Sequence, residues 1–207
     1  MKLVTLTEPQ SEAAEAYRSL RTNLHFAMLE APLRTLLVTA PDPGDSASLV
    51  LANLAVTLAQ IGRRVIAVDA DFYAPALHLA FNASHTPGLA DWLGNSTSGA
   101  QPALQPTSLA ELRLLPSGTR PTIPADLISS DRMTQAIARL SEMADLVLFS
   151  APPLSLYSDA AILASRVDGV LLVVEAGKTR RDNAQKARDT LNRARARVLG
   201  VVMLGQR

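Results

Sequence analysis

The chain has 207 residues, 48% of them hydrophobic, which suits one domain with a substantial core and argues against disorder. Its 20 basic and 19 acidic residues leave a net charge of +1, so the overall balance carries no footprint for nucleic acid or an anionic membrane, although it is compatible with a local patch. Cysteine is absent, which excludes disulfides, thiolate metal sites and a thiol nucleophile.

Residues 11–29 carry Ala13, Ala16, Tyr17, Leu20, Leu24 and Phe26 at roughly helical spacing, with Ser11 placed to cap. Thr35–Thr39 reads as a strand and leads into a Pro-, Asp- and Gly-rich turn at 41–46. A helix is expected over Ser48–Ile61, ended by Gly62, and then a buried strand at Val65–Val68 closed by Asp69-Ala70-Asp71. Residues 82–110 form a loop-rich insertion with one short helix near Leu89–Leu93. There follow a short strand at Leu112–Leu115, a helix at Asp131–Met143 and a strand at Leu146–Phe149. Beyond Ala151-Pro152-Pro153 come a helix at Asp159–Ser165, a strand at Val170–Val174, a strongly basic helix at 180–194 and a last strand at Val198–Leu204.

Apolar strands alternating with helices imply one α/β domain over 1–207, a mostly parallel sheet covered on both faces. Ligands in such sheets sit beyond the carboxyl ends of the strands, so the loops at 40–48, 69–75 and 150–159 should converge. The competing reading is a plain α/β domain with no ligand there. The apolar runs are strand-sized, far short of the ~20 residues that cross a bilayer. Glu8 and Glu12 precede any long apolar stretch, so the N-terminus does not read as a signal peptide. A cytoplasmic setting is expected, with any membrane association made through a partner.

The segment Thr39-Ala-Pro-Asp-Pro-Gly44-Asp45-Ser46-Ala47-Ser48-Leu49, followed by Asn53-Leu-Ala, resembles the first phosphate-binding loop of the bacterial tyrosine kinases (BY-kinases). Other stretches follow in the family's order. Glu15-Ala-Tyr-Arg18-Ser-Leu-Arg21 is similar to its N-terminal Glu-x-x-Arg-x-x-Arg helix, and Val65 to Asp71 to its second acidic motif. Pro75 and Phe81 stand where the family expects them. Leu115-Pro-Ser-Gly118 with Pro121 and Asp126 to Ser130, and Ala151-Pro-Pro with Ser158-Asp159, complete a match over nearly the whole chain. The resemblance implies a P-loop NTPase fold of the ParA/MinD-like deviant Walker type.

The chemistry departs from the pattern. A phosphate loop works because glycines let backbone N–H groups crowd the phosphates while a lysine neutralises the β and γ oxygens. By the resemblance, Ser46 stands at the second glycine and Ala47 at the lysine. No lysine or arginine lies between Thr35 and Ile61, and Asp42 and Asp45 bring negative charge instead. Losing one charge-assisted contact, about 1.5–3 kcal/mol, weakens phosphate binding roughly tenfold to a hundredfold. Ser150 replaces the family's acidic residue before the Pro-Pro turn. Tyr73 and Ala74 replace common arginines, and Leu204-Gly205 replaces the asparagine that reads the base. Gly44, Ser48 (the magnesium position), Asp69, Asp71 and Asp159 remain.

These positions imply a vestigial nucleotide site formed by Gly44, Asp45, Ser46, Ala47, Ser48, Leu49, Asp69, Asp71, Ser150 and Asp159. No catalytic residue and no cofactor are expected. Weak ATP or ADP with magnesium, through Ser48 and Asp69, is the remaining room. Asp69 and Asp71 also read simply as turn residues. The tyrosines, Tyr17, Tyr73 and Tyr157, are scattered and internal, and the sequence given ends at Gln206-Arg207 with no acceptor tyrosine cluster.

By the same resemblance residues 1–30 form an interaction helix whose Glu15, Arg18 and Arg21 serve self-association, against the alternative of a solvated face with intrachain pairs. The basic run from Lys178 to Arg197 reads first as a solvated face. The implied function is a scaffold or regulator in exopolysaccharide or capsule export. It would bind itself, an active BY-kinase homologue or the cytoplasmic part of a membrane polysaccharide co-polymerase, and no nucleic acid. The alternatives are an active tyrosine autokinase or ATPase with atypical residues, and a decayed ParA/MinD-type ATPase.

Overall fold

The computed structural model describes residues 1–95 and 100–205. Residues 96–99 of the loop-rich segment and the terminal pair Gln206 and Arg207 lie outside the described residues.

Three strands, β1 (Thr35–Thr39), β2 (Val65–Asp69) and β5 (Leu146–Ser150), are buried at every position. That is the signature of a parallel sheet clothed on both faces, where no residue can be polar for solvent's sake. Four further strands complete the sheet: β3 (Gln105–Pro106), β4 (Leu112–Leu115), β6 (Gly169–Glu175) and β7 (Val198–Leu204). The order is β3-β4-β2-β5-β1-β6-β7, parallel throughout except for the two-residue β3. The expected mixed α/β fold with a mostly parallel sheet is the fold found.

Alternation along each strand divides the core in two. Leu36, Val38, Val65, Ala67, Leu146 and Leu148 face one layer. That layer is made by α1 (Val4–Thr7), α2 (Glu12–Glu30) and α3 (Ser46–Ala59). Leu37, Ile66, Val68, Val147 and Phe149 face the other. Its helices include α7 (Asp131–Met143), α8 (Asp159–Ala164) and α9 (Arg181–Arg193). Helix α3 lies between the sheet and α2 and is buried on nearly all sides, which is why it reads as apolar all round. Asn53 in its middle is fully buried. Its Oδ1 accepts from the Thr5 backbone N–H and hydroxyl, and its Nδ2 donates to the Lys2 and Leu49 carbonyls, fastening α1 onto α3.

Several boundaries differ from the sequence reading. Helix α3 starts at Ser46, two residues earlier than expected, because the Asp45 carbonyl already accepts from Leu49 N–H immediately after Gly44 (φ +144°). Helices α1, α4 (Leu77–Ala80) and α6 (Pro124–Ser129), and strand β3, were not anticipated, being too short to carry a period. Helix α5 (Leu89–Gly94) lies where a short helix was expected. In α2 the buried stripe is Ala14, Tyr17 and Leu24, so Ala13, Ala16 and Phe26 face outward instead of forming the stripe. Phe26 is 58% exposed.

The Leu115 to Gly118 motif has a packing reason. A Cβ on Gly118 (φ +80°) would collide with Asp91, and one on Gly88 with Pro116 and Gly118. Asp91 Oδ2 in turn accepts from Gly88 and Thr119 N–H, so α5 sits directly on this turn.

Helix α9 ends with Arg195 in the left-handed region (φ +55°), while Ala196 N–H closes back to the Leu191 carbonyl. Glycine is the residue that adopts this conformation without strain. Arg195→Gly is therefore expected to raise stability by about 1 kcal/mol, read from urea unfolding midpoints.

Candidate functional site

The loops after β1, β2 and β5 meet at the carboxyl edge of the sheet. Leu154 and Ser155 N–H donate to the carbonyls of Ala40 and Pro41, and Ala70 N–H donates to that of Ser150. The Thr39 hydroxyl donates to the Pro152 carbonyl at 3.2 Å. Of the residues singled out in the sequence, Gly44 through Leu49, Asp69, Asp71, Ser150 and Asp159 all belong to these loops or the helix turns and strand ends beside them. Glu15, Arg18 and Arg21 stand apart on α2.

Ser46, Ala47 and Ser48 form the first turn of α3 and are buried, with Ala47 only 5% exposed. A helix start of this kind offers backbone N–H groups and the positive end of the dipole. The side chains of the loop itself are acidic or neutral. Asp42 accepts from Asn183 Nδ2 at 2.6 Å, which ties the loop to the start of α9. The Glu175 carboxylate, unforeseen in the sequence, approaches Gly44: its Oε1 lies 3.7 Å from where a Cβ on that glycine would stand. It also pairs with Lys178 at 2.8 Å.

Asp69 is fully buried and its carboxylate is engaged on every side. Oδ1 accepts from Asp71 N–H and, at 2.9 Å, from the Ser150 hydroxyl. Oδ2 accepts from Ala76 and Leu77 N–H at 3.0 and 2.9 Å. Burial outweighs these donors and pushes its pKa up to about 6. Asp71 Oδ1 accepts from Tyr73 and Ala74 N–H, closing an Asx-type turn. Both aspartates thus act as turn residues here.

Asp159 opens α8 and is 2% exposed. Its pKa is raised by burial, although the Tyr73 hydroxyl beside it favours the charged form. Its Oδ2 has no hydrogen-bond partner among the described residues. Tyr73 and Tyr157 are not scattered, as the sequence suggested. Their rings stack with centroids 3.6 Å apart, and the Arg120 guanidinium lies 5.1 Å from the Tyr73 centroid. Burial and the neighbouring Asp159 charge raise the Tyr73 phenol. The sequence offered no periodic signal for this stack, because its members come from three separate loops. Tyr17, by contrast, is a core residue whose phenol burial pushes up to about 12.

On α2, Arg18 Nε donates to Glu15 at 2.6 Å and its Nη1 to the Pro9 carbonyl. Arg21 Nη1 donates to the Thr57 carbonyl of α3 at 2.9 Å. Each arginine therefore has intrachain partners.

A helix rising from a glycine-bearing loop after an inner parallel strand, with Asp69 and Glu175 ending nearby strands, marks a P-loop NTPase fold. No family model matches the chain. It is 37% identical over 205 residues to tyrosine-protein kinase YwqD of Bacillus subtilis, covering 99% of this chain and 86% of that one. It is 36% identical over 172 residues to tyrosine-protein kinase wzc of Salmonella typhimurium, covering 83% of this chain and 24% of that one. The kinase domain of Escherichia coli tyrosine kinase ETK superposes with a TM-score of 0.91 at 28% identity, over 99% of this chain and 80% of that one. The chain belongs to the bacterial tyrosine kinase family. Its fold accounts for most of YwqD and about a quarter of the wzc protein.

The raised Asp69 pKa has a sign that can be checked. The folded state holds this proton up to about pH 6, while the unfolded chain releases it near the ordinary aspartate value of 3.8. The contribution is complete below that lower value and disappears as pH rises through about 6. Relative to Asp69→Asn, the wild-type chain should therefore gain stability as pH falls across that window, measured by urea unfolding at each pH.

Proposed function

We propose that this chain is a catalytically degenerate, pseudokinase-like BY-kinase that acts as a scaffold or regulator in exopolysaccharide or capsule biosynthesis and export. One observation carries the reading. The phosphate loop opens on Ala47 with Asp42, Asp45 and Glu175 around it, and the Asp69 carboxylate that would approach a metal is already bonded to four protein donors. A magnesium nucleotide needs cationic neutralisation and free carboxylate oxygens. The residues present do not fit that requirement, so no transfer step is derived through them and no cofactor is assigned.

Its partners would be a second copy or an active family member, and the cytoplasmic part of a membrane polysaccharide co-polymerase. No helix among the described residues is long and apolar enough to cross a membrane, so a peripheral position through such a partner fits the reading. Self-association through Glu15, Arg18 and Arg21 requires the arginines to exchange their intrachain contacts for a neighbour's carboxylates. Sedimentation velocity tests this: Arg18→Glu with Arg21→Glu is expected to shift wild-type oligomers to monomers.

Arg120 favours a second reading, an active kinase or ATPase with atypical residues, because it brings a guanidinium to the mouth from the turn after β4. Calorimetry with ADP and magnesium separates the two. The scaffold reading expects no binding at millimolar nucleotide and no added phosphate by intact mass after incubation with ATP. Micromolar affinity lost in Arg120→Ala would establish the second. Under the first, Ala47→Lys should strengthen binding about tenfold to a hundredfold, the worth of one charge-assisted contact.

A further inference from the structure

The near-neutral net charge conceals a strongly polarised surface on α9. Arg181, Gln185, Arg188, Asn192 and Arg195 follow one another at helical spacing and are all exposed. Arg181 and Arg188, seven residues apart, share one side of the helix roughly 10 Å apart along its axis, and Arg195 follows just beyond the helix end. No acidic residue stands on this stripe. Asp182 and Asp189 occupy the neighbouring one, where Lys186 and Arg193 offset them, and Asp189 also pairs with Arg188 at 3.0 Å. Among the described residues no ion pair holds Arg181 or Arg195.

Beside this helix the edge strand β7 exposes apolar side chains. Val202 and Leu204 pack into the layer beneath α2 and α3, so Val201 and Met203 project to the opposite face. The register agrees. Val201 pairs with Leu172, which shares its core with Ala187 and Leu191 of α9. Val201 is 58% and Met203 71% exposed. One face of the molecule thus carries a row of arginines next to an apolar strand edge, the combination that binds an anionic lipid–water interface.

We propose that α9 and the β7 edge form a contact surface for an anionic lipid bilayer, with Arg181, Arg188 and Arg195 on the headgroup phosphates and Val201 and Met203 at the acyl boundary. An acidic peptide would engage the arginines without needing the apolar pair, and its residues would be drawn to a groove, whereas this stripe is an exposed, convex helix face. The surface does not use the nucleotide loops, so it stands whether or not the scaffold reading does. Arg195 supplies independent support: it keeps a cation at a left-handed position where glycine is less strained.

Cosedimentation of the full chain with phosphatidylcholine vesicles, with and without phosphatidylglycerol, tests the proposal. Binding is expected only to the anionic vesicles and should fall with added salt. Replacing one arginine by glutamine should weaken it about fivefold, and replacing all three about a hundredfold. Arg195→Gly should weaken binding while leaving the fold at least as stable, which separates contact from folding. Val201→Ser with Met203→Ser should weaken binding without altering its salt dependence. No sedimentation, equal sedimentation with neutral vesicles, or unchanged binding by the triple variant would overturn the proposal. So would tight capture by polyglutamate at physiological salt together with no effect of the Val201 and Met203 substitutions, which would identify an acidic protein as the partner.

Discussion

The carboxyl edge of this sheet is organised by the Asp69 carboxylate, buried at the end of a central strand and bonded to the Ser150 hydroxyl and three backbone N–H groups. A buried carboxylate is tolerated only when donors surround it. The chain satisfies that demand entirely from within. An acidic residue at position 150, the kind the resemblance implies for the family, would bring a second carboxylate against the first, and a bound cation would have to offset their repulsion. Serine removes the repulsion and adds a donor. The turn after β2 is thereby closed by hydrogen bonds from the chain itself.

The rest of the scaffold is insulated from that change. Helix α3 is held by its apolar side chains, of which Ala47 is one among many, and by the Asn53 bonds to α1. Asp168 similarly accepts from Arg34 N–H, Thr35 N–H and the Thr35 hydroxyl, anchoring the start of β1 far from the carboxyl edge. Stability and phosphate chemistry therefore rest on different residues. A TM-score of 0.91 to the kinase domain of tyrosine kinase ETK is compatible with a phosphate loop that carries no lysine or arginine.

The sheet was legible because its strands are continuous apolar runs of the right length, and the long helices because their caps and periods are clear, as Ser11 accepting from Ala14 N–H illustrates. The short helices α1, α4 and α6 and the two-residue β3 carry no clear apolar run, cap or period, which is why they escaped. At the site the sequence supplied residue types and an order of loops. It could not reveal that Asp69 is consumed by turn donors, that Glu175 leans toward Gly44, or that Tyr73, Tyr157 and Arg120 stack. Each of these depends on loops distant in sequence, joined only when the strands align.

The distribution of charge follows from the same topology. Asn183 in the first turn of α9 reaches Asp42, so the basic helix begins at the acidic mouth and runs away from it. Arg180 and Arg181, the cations nearest that junction in sequence, are both exposed, and an amide rather than either guanidinium engages the aspartate. Asp42 is thus engaged by an amide while the arginines of α9 stay on its exposed side. A chain whose cations were needed for phosphate would be expected to draw one of them across this short junction. Here Arg180 and Arg181 remain exposed at the start of α9 instead.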